Sequence, residues 1–142
     1  ECTAEYGIEN PFHEDGRRFE VATSCIPLLA GLRCSLELVE NIGTVTERLL
    51  KIQELSSNLW HQIKGLKGIR AVLASPPSAG LVSFKVPDKI STSDLVKRLG
   101  KSNFWIRSLQ EPACVRACVH VTTNEVEINS LISEIKKILN KL

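Results

Sequence analysis

The sequence predicts an α+β domain, a small and mainly antiparallel sheet with helices packed on one face. Three observations predict it. Apolar residues recur at helical spacing in the first half of the chain and again at its end. Short alternating runs fall between those stretches. Glycine or proline marks nearly every junction.

A first helix is expected over 27–41, with Pro27 at the first helical position, where its missing N–H costs nothing. Leu28, Leu32, Leu36 and Val39 share one face, and Gly43 breaks the run. Thr44 and Glu47 have the spacing of a capping box, in which each side chain satisfies an orphan amide at the helix start. The helix they open carries Leu49, Ile52, Leu59, Ile63 and Leu66 near one stripe and ends at Gly65 or Gly68. A short strand follows at 69–73. Pro76 and Pro77 cannot donate to a ladder, so 75–78 is a turn. Residues 81–86 alternate, with Val82, Phe84 and Val86 on one face. A helix over 91–99 closed by Gly100, a strand over 104–107, a turn at Glu111 and Pro112, and a fourth strand over 113–121 complete the middle. The segment 122–125 caps the last helix, whose apolar stripe runs through Ile128, Leu131, Ile132, Ile135, Ile138, Leu139 and Leu142. One sheet face then takes the helices, and the other must be covered or solvated.

Composition narrows the function classes. The 142 residues are enough for one domain with a core. A net charge of +2 and 5% aromatic residues argue against nucleic acid as a partner. No stretch reaches the roughly 20 apolar residues that span a bilayer and no signal peptide opens the chain, so no membrane partner is expected. The five cysteines are an odd number set in apolar runs, as expected of reduced thiols in a cytoplasmic protein rather than of a disulfide framework. No methionine occurs and the opening stretch is polar and loop-like, so a piece of a longer protein is expected. A processed mature chain would look the same.

The fourth strand holds the most informative side chains. Alternation sends Ala113, Val115, Ala117, Val119 and Val121 to the core, and Cys114, Arg116, Cys118 and His120 to the opposite face. An arginine in mid-strand needs an anionic partner, because desolvating it alone is costly. Two readings stand: an internal salt bridge, or a fork for a substrate carboxylate. Cys114, Cys118 and His120 do not suit zinc, since strand positions four apart are separated by about 13 Å. Thr23 and Ser24, just ahead of a helix, could hold a phosphate or simply cap it. His13 in a polar loop reads as solvated, and His61 beside Trp60 reads as a boundary residue. No glycine-rich phosphate cradle, nucleophile elbow or HExxH motif is present.

Three blocks carry a family resemblance. RRFEVATSCIPLLAGL at 17–32 resembles the stretch that opens the small domain of class-V pyridoxal-phosphate (PLP) enzymes, the aminotransferases and cysteine desulfurases. VRACVHVTTNEVEI at 115–128 resembles their closing motif, R-x-S-x-H-x-x-[NT]-T-x-x-E, and Trp105-Ile106-Arg107 matches a block between them. The resemblance implies the C-terminal small domain of a fold-type I PLP enzyme over 18–142, with 1–17 a loop or tail of a missing large domain. It is nearest to cysteine/cystine C–S lyases, which release pyruvate, ammonia and sulfide or persulfide by β-elimination. An aminotransferase or epimerase of the same group, and a non-catalytic α+β binding module, are the alternatives. The resemblance further implies that Arg116 clamps the substrate carboxylate and that Arg107 lines the substrate site. Thr23 would touch the PLP phosphate across a homodimer interface. Desulfurases carry their persulfide-forming cysteine on a loop a dozen or more residues before the arginine matching Arg116. No cysteine occurs in 103–112, so desulfurase activity is not expected. The lysines all read as lying in loops or on polar helix faces, so the cofactor lysine is expected elsewhere.

Overall fold

A computed structural model describes residues 13–19 and 25–141. Thr23, Ser24 and Leu142 lie outside them. The chain divides into two compact units, Glu1–Ile42 and Gly43–Leu142.

In the first unit a 3-10 turn, Gly16–Phe19, follows Asp15, whose carboxylate accepts from the Arg17 side chain at 2.8 Å. Helix α1, Ile26–Glu40, has Pro27 in its first turn, as its fixed φ favours.

In the second unit the order is α2 (Val45–Lys64), β1 (Arg70–Ala71), β2 (Leu81–Lys85), α3 (Thr92–Lys101), β3 (Arg107–Gln110), β4 (Ala113–Cys118) and α4 (Glu125–Leu139). The capping box of α2 is formed in full by Thr44 and Glu47. The four strands make one antiparallel sheet in the order β1-β2-β4-β3. Val82, Phe84, Val115 and Ala117 point to one face and are buried among Leu59 and Ile63 of α2, Leu95 and Leu99 of α3, and Ile135 of α4. This is the predicted α+β arrangement. The α2 stripe is rotated from expectation: Leu55 and Trp60 join the core, and Leu49 stays exposed.

Several boundaries differ from the sequence reading. Helix α3 runs through Gly100, and the left-handed residue after it is Asn103, at φ 64°. The Phe104 N–H donates back to the Leu99 carbonyl at 3.0 Å, so residues 102–104 still complete the helix end. The chain is therefore freed for pairing only at Arg107, and the third strand is Arg107–Gln110 rather than 104–107. Strand β4 ends at Cys118, leaving His120 and Val121 beyond it. There the His120 N–H donates to Thr123 Oγ1 at 3.0 Å. The last helix is capped two residues later than expected, by a reciprocal box of Asn124 and Glu127. Ala113, assigned to the core, is exposed beside the hairpin turn, whereas Cys114 on the opposite face is buried.

Gly80 closes the ladder beyond β2. Its carbonyl accepts from the Val119 N–H at 2.7 Å, and a Cβ at this position would stand 2.1 Å from the Val119 carbonyl oxygen. Because backbone blocks the space, no rotamer change can make room. Gly80→Ala is expected to destabilise the domain by about 1–3 kcal/mol, read as a lower urea midpoint, as for other overpacked sites. An unchanged midpoint would contradict this close approach.

Candidate functional site

The face of the sheet away from the helices is built by alternation. With Val82, Phe84, Val115 and Ala117 turned inward, Ser83, Lys85 and Arg116 must project outward. Register then decides their neighbours. Arg116 stands opposite Ser83 on β2 and opposite Arg107 on β3, so the three side chains form one row across three strands. Arg70 pairs with Lys85 on the same face. None of the four strands contains an acidic residue.

Neither Arg107 nor Arg116 meets a carboxylate; the ion pairs among the described residues are Asp15–Arg17, Arg33–Glu37 and Glu134–Lys137. Of the two readings of Arg116, an internal salt bridge is therefore not made among the described residues. Arg107 is exposed and Arg116 half-buried. Like charges directly opposed across a strand pair repel, so the row is a cationic site that no carboxylate neutralises among the described residues. It borders an open cleft of about 430 Å³ lined by Leu81, Trp105, Ile106, Arg107, Arg116 and Cys118.

Of the other residues that the sequence singled out, Cys118 lines the same cleft. Thr23 lies outside the described residues. His13 belongs to the other unit, and His61 is exposed on α2 with Nδ1 2.7 Å from the Ser57 carbonyl. Sequence reading assigned no role to Ser83, Lys85 or Arg70, and the only available signal was their alternation with buried neighbours. It also read every lysine as loop or helix. Lys85 instead lies in β2, half-buried on the cationic face.

A model of the aminotransferase class-V family matches residues 3–132. The chain belongs to that family. Solved structures it resembles include the cystine C–S lyase C-DES in complex with its reaction product cysteine persulfide. That match has 38% identity and a TM-score of 0.81, and covers 91% of this chain and 34% of that one. A C-DES variant with glycine covalently linked to its PLP cofactor matches equally. The cysteine desulfurase CsdA from Escherichia coli shares the fold at 17% identity and a TM-score of 0.72, over 87% of this chain and 33% of that one. The chain thus spans about a third of the length of these relatives. No curated protein matches it.

Among the described residues, no helix is long and apolar enough to cross a membrane. The four described cysteines, Cys25, Cys34, Cys114 and Cys118, are free thiols.

Proposed function

We propose that this chain is the small domain of a PLP-dependent enzyme that breaks a C–S bond in cystine or cysteine by β-elimination, yielding pyruvate, ammonia and sulfide or persulfide. One observation carries the reading: the Arg107–Arg116 row, without a carboxylate partner among the described residues, in a chain 38% identical to a cystine C–S lyase.

The residues present fit the substrate side of such a site. Arg116, held in mid-strand, offers a planar fork to the carboxylate of an amino acid, and bidentate contact fixes both position and direction. Arg107 stands beside it to take a second carboxylate, the distal one of cystine. The Cα atoms of a disulfide-bridged pair lie about 4.4–6.8 Å apart, and directly opposed Cα atoms on antiparallel strands about 4.5–5.5 Å. PLP, when bound, supplies an electron sink for negative charge at the substrate Cα.

The residues do not fit the anchoring of that cofactor. A lysine that attaches a carbonyl group is activated by burial or a neighbouring cation. Nine of the ten lysines here are exposed, and the tenth, Lys85, is only half-buried. The anchoring lysine belongs to another part of the protein in this reading. Residues 18–142 are then the small domain, and 1–17 a tail of the large one. Thr23 would touch the cofactor phosphate across a homodimer interface, and the free thiols suit a cytoplasmic enzyme.

The hairpin favours the lyase over a desulfurase. Strands β3 and β4 pair from Arg107↔Arg116 to Gln110↔Ala113, so only Glu111 and Pro112 remain to connect them. That leaves no loop for a mobile sulfur-accepting cysteine, and Cys114 is 1% exposed.

With the full-length protein loaded with PLP and given cystine or cysteine, pyruvate with reduced sulfur is the expected product. Alanine would make it a desulfurase. Neither product would transfer the assignment to aminotransferase or epimerase chemistry. Arg116→Lys should raise the KM for the amino acid about tenfold to a hundredfold, since a hydrogen bond to a charged group contributes about 1.5–3 kcal/mol and an ammonium cannot restore the fork. An unchanged KM would remove Arg116 from the site.

A further inference from the structure

We propose that Trp105, together with Leu81, forms a specificity wall of the arginine cleft that selects a disulfide-bridged bis-amino acid over a single amino acid. The inference rests on the function proposed above and deepens it. The protein has two tryptophans, and they are used in opposite ways. Trp60 is buried and donates its indole N–H to the Leu73 carbonyl at 3.2 Å. Trp105 is 84% exposed, and its indole N–H has no partner among the described residues.

This exposure follows from the chain around it. Phe104 and Ile106 pack against the core, whereas Trp105 between them is left exposed. The ring is nonetheless supported, because it lies over the C-terminal turn of α3. A Cβ added at Gly100 would stand 3.6 Å from it. The cleft therefore has a cationic end, Arg107 and Arg116, and a largely apolar flank of Trp105 and Leu81. Leu81 is itself 46% exposed.

A single small amino acid with its carboxylate on Arg116 uses the cationic end and leaves much of the flank bare. A bis-amino acid whose carboxylates occupy both arginines lays its two sulfurs along the flank. Sulfur is polarizable and favours the edge of an aromatic ring. The free indole N–H adds one donor for a carboxylate oxygen. Burying the disulfide there also takes the exposed apolar surface of Trp105 and Leu81 out of water.

The test uses the full-length, PLP-loaded protein and compares cystine with cysteine in wild type, W105A and W105F. W105A should lower the preference for cystine in kcat/KM about tenfold, equivalent to about 1.4 kcal/mol. The loss should fall mainly in the KM for cystine, and W105F should recover most of it. An equal fall for both substrates would assign Trp105 to packing alone, and an unchanged preference would remove it from the site; either overturns the wall. A second measurement separates this inference from the reading it rests on. Cystine is added to PLP-free protein, and tryptophan emission is compared between wild type and W105F, since a disulfide quenches an indole in contact with it. Quenching present only in wild type upholds the wall even if no pyruvate forms from either substrate, a result that would sink only the proposed reaction. Equal emission changes in the two proteins would overturn the wall.

Discussion

Everything distinctive about this domain depends on the burial of Phe84 and Val115 between the sheet and its three helices. Both side chains are 0% exposed, and they stand directly opposite each other on β2 and β4. A slip of one residue would turn Val115 to the outside and drive Arg116 into a core of Leu59, Leu95 and Ile135. Fully burying side chains of this size contributes about 1.5–3 kcal/mol each, and an unpaired buried guanidinium would add a penalty far larger than that gain. Packing on one face thus enforces the register that assembles the cationic row on the other.

That row runs against the stability of the isolated domain. Arg107 and Arg116 are opposed across a strand pair, with Lys85 and Arg70 on the same face and no acidic residue in any strand. Cross-strand pairs of like charge are unfavourable by a fraction of a kcal/mol to about 1 kcal/mol. Where local rules are broken without compensation inside the fold, function is the usual reason. An anion placed between the guanidiniums would relieve the repulsion and exploit the donors at once. The same logic applies to Trp105, an exposed aromatic supported from beneath by a helix turn.

The tight connection between β3 and β4 is what supports elimination over desulfuration in the proposed function. The cysteine desulfurase CsdA shares this architecture at low identity, and the family's desulfurases were expected to carry a cysteine loop ahead of the arginine. Here the ladder continues to Gln110↔Ala113 and uses the residues such a loop would need. A strand-bound, buried thiol such as Cys114 cannot reach out to accept sulfur.

Much of the fold was legible in the sequence because its signals are local. Apolar spacing marked α1, α2 and α4, and the Thr44–Glu47 box marked the start of α2. Alternation along β4 separated Val115 and Ala117 from Arg116 before any partner strand was known. The roles suggested for Arg107, Arg116 and Thr23 came from family resemblance, not from pattern. What only the tertiary structure decided is non-local. The third strand begins at Arg107 because Phe104 is still bonded to the end of α3. The Arg107–Arg116 juxtaposition and the row with Ser83 follow from that start and from strand register. Period and capping are written within a few residues of one another. Register is set by which faces are buried together across the whole domain, and no short stretch of sequence contains it.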